Sequence, residues 1–155
     1  MKPHIYISGP MSGMPDLNFP AFNEAAKALR AAGYTVTNPA ELDAQDAGKV
    51  MTWEQYMRRD IAALMQCDGI ATLTGWSNSR GATLEIDIAT RLSMPNWPVH
   101  ITGNASTLRA AKAEVEDAID DWFERVQKGG SNLWSGGEQV SGVAPKARAR
   151  RKGRR

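Results

Sequence analysis

The sequence predicts an α/β fold: a Rossmann-like or flavodoxin-like doubly wound parallel sheet of four to five strands with helices on both faces. Three observations carry this. Short apolar runs recur at 2–8, 34–37, 69–73 and 98–102. Between them lie segments whose apolar residues repeat at helical spacing, and strands alternating with helices at this distance form parallel sheets. Each run also ends in small or turn-forming residues, namely Ser8-Gly9-Pro10, Thr37-Asn38-Pro39, Leu73-Thr74-Gly75 and Thr102-Gly103-Asn104. Ligands of such sheets sit outside the carboxyl ends of the strands.

The elements follow in order. Lys2 to Ser8 alternates around His4-Ile5-Tyr6-Ile7 and reads as the first strand, ending in a loop at Gly9-Pro10. Asn18 is placed to cap the next helix, with Pro20 in its first turn. Phe22, Ala25, Ala26 and Leu29 give that helix one buried stripe, and Gly33 ends it. Tyr34 to Thr37 is the second strand, and the dozen polar residues after Asn38-Pro39 read as loop. Thr52 caps a helix from Trp53 to Cys67, and Gly69 to Leu73 is a buried strand. The polar turn Thr74 to Gly81 then leads into a helix over 82–92, with Glu85 expected in its first turn. Pro98 to Thr102 is the fourth strand. Leu108, Ala111, Val115, Ile119 and Trp122 mark a long amphipathic helix over 105–127, which with Trp122 and Phe123 is a candidate dimer surface or, equally, packs on its own sheet.

Composition narrows the class. The chain has 155 residues and one cysteine, which excludes an internal disulfide, and its two histidines make no metal-ligand cluster. Cys67 reads as a small buried apolar residue. No apolar run is long enough to span a membrane, and no signal-peptide core is present, so a cytoplasmic protein without metal or other cofactor is expected. The net charge of +2 is uneven: Lys146 to Arg155 holds seven basic and no acidic residues, and the remainder is net −5. The expected organisation is one domain over 1–128 and a disordered Gly/Ser-rich and basic tail over 129–155. The tail from Lys146 to Arg155 offers non-specific contact with nucleic-acid phosphates, or serves as a solubilising terminus.

Three side chains draw attention. Asp60 lies in the apolar stripe traced by Trp53, Tyr56, Met57, Ile61 and Leu64, where an acid is costly unless paired or lining a cavity. It is equally readable as a structural tie to a neighbouring loop. Glu85 sits at a strand-to-helix turn whose free amides favour anions, and the helix dipole there should keep it ionised. Acids at that position are common without any function. Tyr6 ends the first strand, where tyrosines mostly pack. Together, two carboxylates and a phenol near one sheet edge are the parts of a retaining glycosidase.

Tyr6-Ile7-Ser8-Gly9-Pro10, Arg58-Arg59-Asp60 before Cys67-Asp68, and Ser79-Arg80-Gly81-Ala82-Thr83-Leu84-Glu85 resemble the nucleoside 2-deoxyribosyltransferase superfamily, which includes the 2'-deoxynucleoside 5'-phosphate N-hydrolases. The stretch from Ile5 to Asn38 looks like its small phage-encoded members. The resemblance covers roughly residues 3–102. It implies that Glu85 attacks the anomeric carbon to form a glycosyl-enzyme ester, that Asp60 engages the leaving base, and that Tyr6 orients the nucleophile. It places the substrate against Ser8, Gly9, Pro10, Ser12, Ser79, Arg80 and Gly81. Transferases of free nucleosides have an aspartate six residues before the glutamate; this chain has Ser79, as the nucleotide hydrolases do, and a hydroxyl can donate to a 5'-phosphate. Where the hydrolases carry a serine after the first glycine stands Pro10, so Ser12 and backbone amides are the substitutes. The resemblance also implies a homodimer or higher homo-oligomer whose partner completes the site, with Asn104 and Ser106 as candidates.

The resulting expectation is an N-glycosidase of 2'-deoxynucleoside 5'-monophosphates. The alternatives are a nucleoside 2-deoxyribosyltransferase, a phosphoribohydrolase of the cytokinin-activating type, whose loop looks somewhat like Gly81 to Glu85, and a non-catalytic nucleotide sensor.

Overall fold

The computed structural model describes residues 2–99, 117–121 and 124. Four parallel strands, β1 (His4–Ser8), β2 (Thr35–Thr37), β3 (Gly69–Leu73) and β4 (Asn96–Val99), form one sheet in the order β2-β1-β3-β4. The central pair β1 and β3 is in register with Tyr6 opposite Ile70 and Ser8 opposite Thr72. All five residues of β3 are buried, as a continuous apolar run in a sheet covered on both faces requires.

Alternation along β1 sorts its side chains between two layers. Ile5 and Ile7 join Ala71 and Leu73 against α1 (Phe19–Ala31), which contributes Phe22, Ala25, Ala26 and Leu29, and against Ile119 of the helical residues 117–121. Tyr6 and Ile70 face the other layer, where Leu64 of α3 (Trp53–Leu64) meets Ile86 and Ala89 of α4 (Arg80–Arg91). Fully burying a side chain such as Phe22 or Leu64 stabilises the fold by roughly 1.5–3 kcal/mol. Helices on both faces make the sheet doubly wound, as expected. Because β2 and β3 lie on opposite sides of β1, the chain reverses direction across the sheet between β1 and β3, and a crevice opens above their carboxyl ends.

Three local expectations are corrected. Residues after Asn38 are not loop: Pro39–Gln45 is a helix, α2. The buried Asn38 starts it, its side-chain oxygen accepting from the Ala40 amide at 3.0 Å, with Pro39 in the first turn. Arg30 then ties α2 to α1 through both carboxylate oxygens of Glu41, at 2.6 and 2.8 Å. Second, Asn18 stands at the N-cap of α1 but does not cap it; its amide donates instead to the Pro10 carbonyl at 2.9 Å. Asp16, Leu17 and Asn18 are all left-handed (φ 49°, 51° and 59°), a conformation that costs a non-glycine residue on the order of 1 kcal/mol. Third, α4 begins at Arg80 with Ser79 as its cap, so Glu85 lies in the second turn and the first turn holds no acid.

Strand β4 opens at Asn96, two residues ahead of the expected Pro98, whereas two other boundaries fall as read. Thr52 and Gln55 form a reciprocal capping box at α3, and Gly33 follows α1 at φ 90°. Cys67 is half-buried, its thiol donating to the Ala63 carbonyl at 3.4 Å, and burial raises its pKa to about 11, as suits an unreactive thiol. The segment 101–116, the basic tail, Trp122 and Phe123 lie outside the described residues. Among the described residues no helix is long and apolar enough to cross a membrane, and no group of three His, Cys, Asp or Glu is placed to hold a metal ion.

Candidate active site

A cavity of about 300 Å³ fills the crevice above β1, a volume suited to a small-molecule ligand. Its floor is Ile7, Ser8 and Gly9 from the end of β1, and its walls come from the β1–α1 loop, α2, α3 and the start of α4. Gly9 is required by the packing beneath the floor, since a Cβ there would lie 2.8 Å from the Cβ of Leu73.

Glu85 enters from α4 and is 5% exposed. Both carboxylate oxygens are held from β1: the Tyr6 hydroxyl donates to Oε1 at 2.7 Å, and the Ser8 hydroxyl donates to Oε2 at 2.5 Å. Residues 6 and 8 point to one face of the strand, and that spacing makes a two-pronged clamp on one carboxylate. The clamp does not fully offset desolvation. Burial pushes the Glu85 pKa up, the hydroxyls of Ser8 and Tyr6 pull it down, the charge of Asp60 raises it further, and it settles at about 7. The expectation that the helix dipole keeps Glu85 ionised is therefore corrected: the residue is one turn too deep and too well buried. Burial, then the charges of Glu85 and Asp60, hold the Tyr6 phenol well above its ordinary range, so Tyr6 stays a donor.

Asp60 reaches the same cavity from α3. Burial raises its pKa as well, against the pull of the neighbouring Arg59. Two carboxyls thus face one space, and the charge of Asp60 makes that of Glu85 harder to keep. Trp53, Tyr56 and Met57, from the apolar stripe of the helix, stand beside Asp60 in the wall; Trp53 and Tyr56 are only partly buried and border the cavity.

Of the other expected residues, Ser8, Gly9, Ser12, Ser79 and Gly81 line the cavity. Ser79 Oγ accepts from the Ala82 amide at 3.3 Å, which leaves the hydroxyl proton free to donate. The amides of Arg80 and Gly81 stand at the same mouth, ahead of the first intrahelical bond. Pro10 is buried outside the lining, against Gly75. Arg80 also is not in the wall; its guanidinium stacks on the Trp53 ring 3.6 Å from the centroid. Asn104 and Ser106 lie outside the described residues. Although the segment Leu42 to Lys49 was expected to help read the base, Asp43 was not singled out. It lines the cavity from α2, and the reading of 40–51 as loop hid it.

One consequence is directly measurable. Removing either prong should raise the Glu85 pKa above about 7, and Ser8→Ala should move it further than Tyr6→Phe because the Ser8 bond lowers it more. Titration of the Glu85 carboxyl by ¹³C NMR reads this; an unchanged or lower value would dismiss the clamp.

The site and fold together define an α/β protein with a buried, clamped carboxylate at the switch point of a flavodoxin-like sheet. Residues 3–96 match the family described as Domain of unknown function (DUF4406), and the chain belongs to that family. No curated protein matches it in sequence. Two solved structures share the fold. One is a 2-deoxyribosyltransferase from Bacillus psychrosaccharolyticus, 19% identical, with 65% of this chain and 74% of that chain covered and a TM-score of 0.50. The other is the solution structure of BlsM, 18% identical, with 80% of this chain and 93% of that chain covered and a TM-score of 0.57.

Proposed function

We propose that the protein is an N-glycosidase that cleaves the base–sugar bond of 2'-deoxynucleoside 5'-monophosphates through a covalent ester on Glu85. The observation that carries this is the Glu85 carboxylate held at both oxygens by Tyr6 and Ser8, with Asp60 on the same cavity. A structural carboxylate needs a cation or many donors; among the described residues this one has two neutral hydroxyls and an acid for a neighbour, an arrangement that suits attack on a carbon gaining positive charge. The fold shared with a 2-deoxyribosyltransferase supports glycosyl transfer from a nucleoside-type substrate.

The roles follow from position. Glu85 attacks C1' as the base departs, forming an ester; Asp60 donates a hydrogen bond or proton to the leaving base. Water, giving its proton to the Asp60 carboxylate, then attacks C1' and breaks the bond from C1' to the Glu85 oxygen, returning the Glu85 carboxylate and a free sugar phosphate. Ser79 and the amides of Arg80 and Gly81 receive the 5'-phosphate, and Trp53 and Tyr56 supply flat surfaces for the base.

Incubation with a panel of deoxynucleoside and ribonucleoside monophosphates and free nucleosides, followed by chromatography for free base, tests the reading. Release is expected from deoxynucleoside monophosphates at least tenfold faster than from the free nucleosides. Addition of a second base separates hydrolysis from transfer. Tight binding without release from any member of the panel would leave a sensor instead.

A further inference from the structure

Arg59 is the residue that the proposed mechanism leaves unused, although its surroundings are unusually specific. It precedes Asp60 on α3, and four of its five N–H donors are engaged. Nε and Nη2 both donate to Asp60 Oδ1, at 2.9 and 2.7 Å. Nη2 also donates to Asp43 Oδ1 at 2.5 Å, and Nη1 to Asp46 Oδ2 at 2.9 Å. Asp43 is in α2 and Asp46 is its C-cap. The guanidinium therefore bridges two helices, and Tyr56 lies under it at 5.2 Å.

Three acids around one arginine leave an excess of negative charge, relieved among the described residues at Asp46 by Lys49 at 2.5 Å. Such a group does not secure stability cheaply. What it secures is geometry: a planar fork fixes one oxygen of Asp60, and Oδ2 accepts no hydrogen bond among the described residues. Asp60 lines the cavity. Resting on the glycosidase reading above, we propose that Arg59 is a positioning residue: braced on α2 by Asp43 and Asp46, it grips Oδ1 of Asp60 and so presents Oδ2 to the leaving base.

A point charge on a flexible stem cannot reproduce the fork, so lysine should not replace arginine here. The groups facing Asp60 are Arg59 on its own helix, Asp43 and Asp46 from the α2 side, Glu85 from α4 and Tyr6 from β1. Without Arg59 the groups named are acids and a phenol, so Asp60 would hold its proton more tightly and give it up less readily to the base, besides losing its fixed direction.

The test compares wild type with Arg59→Lys and Arg59→Gln. Both variants should lower kcat for base release ten- to a hundredfold with KM within about threefold, since the defect falls on the departing base rather than on the bound nucleotide. The ¹³C-observed titration of Asp60 should move upward in Arg59→Gln, and less in Arg59→Lys. A kcat unchanged after correction for folded fraction, or a rise confined to KM, would overturn the positioning role, as would an Asp60 titration that stays in place. The titration needs no turnover. An inactive wild type would thus reject the glycosidase reading, while the Arg59–Asp60 link is still judged separately by the titration.

Discussion

Glu85→Gln is expected to lower base release on the order of 10⁴-fold or more, with nucleotide affinity within about threefold of wild type. The amide is nearly isosteric and can still meet the hydroxyls of Tyr6 and Ser8, each of which can donate or accept. What it lacks is the nucleophilic oxygen. The wild type, quenched during turnover, should carry a covalent sugar-phosphate adduct visible by intact mass, and the variant should carry none. Retention of more than a few per cent of wild-type turnover by Glu85→Gln would remove the covalent mechanism. A deeper point concerns charge. Burial holds Glu85 near the midpoint of its titration at neutral pH. An oxocarbenium-like centre arriving beside it supplies the opposite charge that the protein withholds, so the carboxylate interacts more strongly with the transition state than with the neutral sugar.

Much of this site was legible because strand alternation and helix spacing are strict. Tyr6 and Ser8 share a face of β1 by parity, and Asp60 stood out as an acid in an apolar stripe. The strand β3 was readable to the residue, since a five-residue apolar run between polar flanks has few alternatives. The errors have equally physical origins. The helix α2 is seven residues long and carries two acids, one proline and two alanines rather than an apolar stripe; its start is made by Asn38, a residue equally at home in a turn. Missing it concealed Asp43 and Asp46, and with them the purpose of Arg59. Glycine at position 81 disfavours helix, which delayed the expected start of α4 and put Glu85 in the wrong turn. Trp53 and Tyr56 show a different limit. An apolar stripe records that a helix face is turned away from water, but a packed core and the wall of a cavity produce the same spacing.

Glu85 should also leave a mark on stability that is independent of catalysis. Its pKa is raised from an ordinary 4.5 to about 7 in the folded protein, chiefly by burial. The sign follows: folding favours the protonated carboxyl, so this stabilising contribution is complete below about pH 4.5 and is lost as pH rises towards 7. A shift of that size corresponds to roughly 3 kcal/mol. A glutamine cannot ionise and escapes the loss. Relative to wild type, Glu85→Gln should therefore be more stable at pH 8 than at pH 4.5 by roughly 3 kcal/mol, which for a chain of this size is about 6–12 °C in Tm. Melting curves of both proteins at the two pH values measure it directly, and groups that titrate alike in both proteins cancel in the comparison. Equal Tm differences at the two pH values would mean that Glu85 is ionised at no cost. The carboxylate would then be a satisfied structural anion, and the case for a strained nucleophile would fall with it. An activity lost and a stability gained at the same residue, with the gain confined to the pH range in which the carboxyl ionises, is the pattern expected where a fold holds a charge for chemistry rather than for its own stability.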